Sequence, residues 1–124
     1  MKVIVVDDSR TTRLVLSKML GEIDVEVSTA GDGREALEVL EKEGAPDLML
    51  IDWNMPVMNG YELVQAVRAD STYDSVRLMM VTTETGMENV MQALEAGANE
   101  YVMKPFTKDA ILEKLAIMGL VSGR

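Results

Sequence analysis

The chain of 124 residues contains no cysteine and no histidine. The first absence excludes disulfides. The two together exclude zinc sites built on thiolate or imidazole, Ser-His and Cys-His nucleophile pairs, and a phosphohistidine in this chain. Positive charge is scarce as well: 12 Lys and Arg stand against 21 Asp and Glu, a formal net charge of -9. That balance repels a phosphate backbone, and no basic cluster makes a local exception, so no nucleic-acid partner is expected. Long apolar runs are missing too. The run at 3–6 gives way at once to Asp7 and Asp8, which fits neither a signal peptide nor a membrane span. No membrane association is expected, and the compartment read from the sequence is the cytoplasm. What remains for chemistry is carboxylates, hydroxyls, amines and an added cofactor or hard metal.

With 48% apolar and 27% charged residues the chain has the means to bury one core, and a single domain over 1–124 without an effector domain is expected. Short apolar runs at 2–6, 25–29, 48–51, 76–81 and 99–103 alternate with segments of helical period. Asp32 with Glu35 and Thr85 with Glu88 have the capping-box spacing of helix starts. Apolar stripes at Ala36, Leu37 and Leu40, at Leu63, Val64 and Val67, and at Ile111, Leu112 and Leu115 supply sheet-facing sides. Gly21, Gly44 and Gly97 read as helix stops in left-handed conformation. Strands apolar on both faces require cover on both sides, so the expected fold is α/β, a doubly wound parallel sheet of five strands. In such a fold ligands bind beyond the carboxyl ends of the strands, where the winding reverses.

Asp7 and Asp8 follow the first strand, Asp52, Trp53 and Asn54 the third, Thr82, Thr83 and Glu84 the fourth, and Lys104 and Pro105 the fifth. If the first and third strands are neighbours, three carboxylates share a cleft with one amine. Two ionised carboxylates about 5 Å apart repel by roughly 3 kcal/mol at an effective dielectric near 20, so the cluster calls for a counter-charge. A hard divalent cation with oxygen ligands, Mg²⁺, fits, and its open positions imply a phosphoryl group. Asp52, alone at its strand end, is the best nucleophile, and its attack on phosphorus would give an acyl phosphate. Lys104 and the Thr82 hydroxyl are the groups to stabilise the charge that develops.

Asp7-Asp8-Ser9, Asp52-Trp53-Asn54-Met55-Pro56 with Asn59-Gly60, Val81-Thr82 and Tyr101-Val102-Met103-Lys104-Pro105-Phe106 together resemble the receiver domains of response regulators, and among them the CheY-type chemotaxis proteins. The resemblance runs over essentially the whole chain. It implies a flavodoxin-like (βα)5 fold with strand order 2-1-3-4-5. It further implies Asp52 as phosphoacceptor, and Mg²⁺ held by Asp7, Asp8, Asp52 and the backbone carbonyl of Asn54. Lys104 would pair with the phosphoryl group, Thr82 and Tyr101 would form a switch pair, and the Lys104–Pro105 bond would be cis. Asn54 and Glu84 sit where similar proteins tune loss of the phosphate. Thr83 departs from the smaller residue usual there and would restrict access to it. Asn59 replaces a more usual Asp, and either suits a turn. The implied partners are a CheA-like histidine kinase as donor and a flagellar motor switch protein or another target, with room for a phosphatase, and the protein would act as a monomer. The alternative of the same class is a relay or adaptor receiver in a pathway other than chemotaxis.

Taken singly, these residues have ordinary readings: Asp8 or Ser9 as a helix cap, Asp52 as loop polarity, Lys104 as a solvated lysine. Their joint placement at four strand ends outweighs those readings, and at Asp8 and Ser9 a cap and a ligand can coexist. A phosphohydrolase of the haloacid-dehalogenase type would need a second Asp where Asn54 stands. A flavodoxin-like cofactor binder would want a Ser/Thr/Gly-rich loop where Asp7 and Asp8 repel a phosphate. Most of the 11 methionines lie in core-like runs, but Met87 and Met91, spaced i and i+4 in the fourth helix, could instead form an adaptable contact surface.

Overall fold

The computed structural model describes residues 1–83 and 87–121. Five parallel strands stand in the order β2-β1-β3-β4-β5. They are β1 Lys2–Val6, β2 Glu26–Ala30, β3 Leu48–Asp52, β4 Arg77–Thr82 and β5 Glu100–Met103. The helices that alternate with them are α1 Arg10–Gly21, α2 Gly33–Glu43, α3 Gly60–Arg68, α4 Met87–Ala96 and α5 Lys108–Ile117.

Strand alternation divides the core in two. Ile4, Val6, Met49, Ile51, Leu78 and Met80 point to the side covered by α2, α3 and α4. Val3, Val5, Leu48, Leu50, Met79, Val81 and Val102 point to the side of α1 and α5, where Leu16, Leu20, Ile111 and Leu115 meet them. The chain leaves β2 at one edge and crosses β1 to reach β3, so the winding reverses between β1 and β3. Asp7 and Asp52 end up at the carboxyl ends of adjacent strands for that reason.

Expected and observed strand limits differ by at most one residue, and the differences matter at the carboxyl ends. The third strand extends to Asp52, which pairs with Val81, and the fourth to Thr82, which pairs with Met103. Both side chains are therefore carried by hydrogen-bonded strand and not by loop. The second strand runs one residue later than expected, because Ala30 pairs with Val6 and its carbonyl accepts the amide of Asp7 at 3.1 Å.

Of the three expected helix stops, Gly44 and Gly97 have φ of 86° and 120°, but Gly21 does not take the left-handed region. It is the last residue of α1. The chain continues in tight turns, with Ile23 N–H bonding Leu20 O and Asp24 N–H bonding Gly21 O, and the left-handed residue is Asp24 at φ 62°. Aspartate tolerates that conformation better than most residues. Asp32 caps α2 as expected, accepting from the amide of Glu35. The cap read at Thr85 lies outside the described residues. Asn59, read as a turn residue, is in fact the N-cap of α3 in a complete capping box with Glu62. Between α3 and β4, Ser71–Tyr73 forms a 3₁₀ turn.

Arg68, at the end of α3, fastens this side of the molecule. Its guanidinium donates to the carbonyls of Gly97, Tyr73 and Val76 at 2.9, 3.0 and 2.7 Å and to Asn99 Oδ1 at 3.0 Å. Asn99 Oδ1 in turn accepts the amide of Leu78 at 2.8 Å. One side chain thus satisfies three carbonyls from two connections, α3 to β4 and α4 to β5, at the entries of those strands. Arg68→Ala is expected to destabilise the fold by about 2–4 kcal/mol in urea unfolding, because these acceptors lose a charged donor. Arg68→Lys should recover only part of the loss, since an ammonium cannot reproduce the planar fork.

Candidate functional site: an acidic cleft at the strand ends

The three carboxylates come together as the sequence predicts. One oxygen each of Asp7, Asp8 and Asp52 lie within 4.8 Å of one another. Asp7 and Asp52 are buried, at 1% and 7% exposure, and Asp8 is open to solvent. Asp7 is fixed at both oxygens: Oδ1 accepts the amide of Ser9 at 2.8 Å, and Oδ2 lies 3.0 Å from Lys104 Nζ. The same ammonium lies 3.2 Å from Asp52 Oδ1. It bridges two carboxylates from a side chain whose own exposure is 20%.

Lys104 is aimed by its backbone. Its amide donates to Thr82 O at 2.8 Å, and the Lys104–Pro105 peptide is cis, as the resemblance implies. Arg13, which sequence reasoning missed, donates from α1 to the carbonyl of Asp7 at 2.6 Å. No local motif announces it. Its place on the first turns of α1 becomes meaningful only once the helix lies over β1. Ser9 caps α1 by accepting from the amide of Thr12, so the cap and the cleft are built from one turn.

The connection from Asp52 to α3 is held close to the strand. Gly60 N–H donates to Trp53 O at 2.9 Å, and a Cβ on Gly60 would collide with the carbonyl oxygen of Asp52 and the methyl of Met80. Glycine at 60 is therefore a condition for the loop that follows Asp52. That loop and Asp8 line an open cleft of about 460 Å³, whose other walls are Asn54, Met55, Pro56 and Asn59. Trp53 is half-buried with its ring centre 6.0 Å from that of Tyr61.

Thr82 is 1% exposed at the end of β4 and Thr83, the next residue, is exposed. Tyr101 is half-buried on β5, opposite Met80, so Thr82 lies two residues further along the same face. Glu84 lies outside the described residues, and so does the side chain of Met87. Met91, its partner in the expected contact pair, is 49% exposed.

The donor set suits a hard divalent cation. It offers carboxylate oxygens only, two of them from buried side chains with little competing solvent, and one exposed carboxylate beside an open cleft. Burial and the neighbouring Asp7 push the Asp52 carboxyl up to about 6, against the opposing pull of Lys104. For Lys104, burial works toward the neutral form, but its bonds and charges with Asp7 and Asp52 outweigh it and hold the ammonium above its ordinary value.

The raised value of Asp52 has a consequence for stability. The folded protein binds this proton more tightly than the unfolded chain, so the contribution is full below pH about 4 and is lost as pH rises through about 6. In a chelator at pH 7.5, Asp52→Asn is expected to be more stable than the wild type by about 1–3 kcal/mol. The difference should disappear near pH 4, as urea titrations at the two pH values would show.

A response regulator receiver domain model matches residues 3–116. Curated relatives include the chemotaxis protein CheY1 of Helicobacter pylori, 43% identical over 119 residues that cover 95% of this chain and 96% of the relative. The CheY homolog of Campylobacter jejuni is 44% identical over 125 residues, covering 99% and 96%. Among solved structures, the chemotaxis protein CheY4 of Vibrio cholerae superposes with a TM-score of 0.87 at 41% identity, covering 94% of this chain and 96% of that one. The chain belongs to the response regulator receiver domain family, with chemotaxis proteins of the CheY type as its homologues.

Proposed function

We propose that the protein is a phosphoacceptor switch of a two-component system, phosphorylated at Asp52 by a histidine kinase and read out by a target protein. The observation that carries this reading is the Lys104 ammonium between the buried carboxylates of Asp7 and Asp52, with Asp8 beside them. The cluster concentrates charge around one strand-borne carboxylate, which suits phosphoryl transfer.

In the proposed reaction an Asp52 carboxylate oxygen attacks the phosphorus of a phosphohistidine on the kinase. The P–O bond forms, the P–N bond breaks, and the imidazole leaves with the bonding pair. Lys104 and the Thr82 hydroxyl receive the charge on the equatorial oxygens. Mg²⁺, held by Asp7, Asp8, Asp52 and the Asn54 carbonyl, would supply further positive charge to the phosphoryl oxygens when bound. No second carboxylate stands at Asn54 to activate water as a general base, so the protein accepts and slowly loses a phosphoryl group and does not turn over external substrates. Asn54, Thr83 and Glu84 tune that loss.

Output is binding. Thr82 and Tyr101 share a face of β4 and β5, and a hydroxyl drawn toward the phosphoryl oxygens vacates space that the ring can enter. The surface of α4, β5 and α5 changes with it. That surface presents Met91 and Leu94 from α4 at 49% and 38% exposure and Ile117 from α5 at 64%, apolar contacts suited to a partner. A flagellar motor switch protein is the proposed target, on the strength of the chemotaxis relatives. Among the described residues no helix is long and apolar enough to cross a membrane. A receiver domain acting as a monomer in the cytoplasm is the reading that accords with the chemotaxis relatives.

Acetyl phosphate with Mg²⁺ is expected to label the protein once, at Asp52, with the label released by hydroxylamine as an acyl phosphate is. Asp52→Asn should take up none. Labelling of that variant at the wild-type rate would refute the assignment.

Thr83→Ala is expected to speed loss of the phosphate severalfold, equivalent to about 1 kcal/mol in the barrier, by removing a methyl and a hydroxyl from the path of water. Decay of purified phosphoprotein at fixed Mg²⁺ measures this, and equal rates would show that residue 83 does not gate access.

A further inference from the structure

Tyr101 is held by contacts that the chemistry at Asp52 does not use. Along β5, Val102 is buried with α1 and α5, whereas Tyr101 packs against the cluster on the opposite side of the sheet. Glu100, one residue before, points with Val102 toward α5. Since β5 is an edge strand, a side chain from α5 can reach around it to the far face. Lys114 does so. Its ammonium lies 2.9 Å from Glu100 Oε1 and 4.9 Å from the centre of the Tyr101 ring. The same Glu100 oxygen accepts the backbone amide of Tyr101 at 3.0 Å. One carboxylate oxygen therefore fixes the strand at Tyr101 and the cation over its ring. The Lys114 and Glu100 side chains are 23% and 18% exposed, so water screens these contacts less than it does a rim ion pair.

We propose that Glu100 and Lys114 form a latch that holds the Tyr101 ring in its half-exposed position, with Lys114 the positioning residue. The proposal rests on the reading of Tyr101 as the switch residue. Thr82 lies two residues beyond the partner of Tyr101 on the same face of the sheet, so a ring moving toward Thr82 leaves the ammonium at the sheet edge. The cation thus favours the outward arrangement in every molecule, phosphorylated or not. A contact made in one state and lost in the other shifts the equilibrium between them, and this one sets how much phosphorylation is needed to switch.

Lys114→Met tests it, because the substitution keeps the aliphatic stem and removes only the charge. In the full chain, the ring resonances of Tyr101, assigned with Tyr101→Phe, are compared before and during titration with beryllofluoride and Mg²⁺ as a phosphoryl mimic. Trp53 fluorescence reports mimic binding independently. The ring signals of Lys114→Met are expected to differ from wild type before any mimic is added, and its half-saturating concentration to fall about two- to fivefold. Lys114→Arg, which retains a cation for the ring and the carboxylate, should restore both. In a Tyr101→Ala background Lys114→Met should have no effect on half-saturation, which separates the ring contact from a general change in α5. Unchanged ring signals in Lys114→Met, or an equal effect in the Tyr101→Ala background, overturn the latch. A mimic that moves neither Trp53 nor Tyr101 in any variant would instead refute the acceptor reading, and the ring signals of the unliganded proteins would still decide the latch.

Discussion

Two buried carboxylates on adjacent strands are the constraint around which this molecule is arranged. Asp7 and Asp52 are brought together by the register of β1 and β3, and the repulsion between ionised groups so placed is several times thermal energy. Lys104 offsets it from across the sheet, and the surrounding bonds keep Lys104 in reach: its own amide on Thr82, the cis proline after it, and the Ser9 amide that turns Asp7 toward it. Relieving the repulsion fully requires more positive charge than one lysine carries. The cleft thus suits a hard divalent cation, and its geometry resides in strand ends that the core holds in place.

Much of this was legible in the sequence because periodicity and burial point the same way. Each strand run was found to within one residue, and the position of Asp7, Asp8, Asp52, Thr82 and Lys104 at successive strand ends follows once the elements are ordered. Strand order itself was not legible from pattern, since a two-faced apolar strand fits any interior place in a parallel sheet. It came from the resemblance to receiver domains, and the register bears it out. Gly21 shows where a local rule fails. A glycine after an apolar stripe suggested a left-handed stop, yet the turn is closed three residues later at Asp24, because the bonds of the last turn decide where the chain reverses. Arg13 and Arg68 were invisible for a different reason: both act on backbone carbonyls distant in sequence, and carbonyl positions are set by the fold. The capping box of Asn59 and Glu62 was readable by its spacing and was passed over because the resemblance suggested a turn.

The two faces of β5 explain how a chemical event at the strand ends can reach a surface. Val102 belongs to the core shared with α1 and α5 and cannot shift without opening it. Tyr101 faces the other way, at an edge, where only part of its ring is covered. A wholly buried aromatic ring cannot change place without opening the core, and a wholly exposed one has no packed state to lose. Tyr101 lies between these limits, one strand away from Thr82 and beneath the ammonium of Lys114. The output proposed for the α4-β5-α5 surface thus depends on sheet order. β5 is also the edge strand and ends one residue before Lys104, so the ammonium beside Asp52 and the half-buried ring of Tyr101 stand three positions apart in the chain.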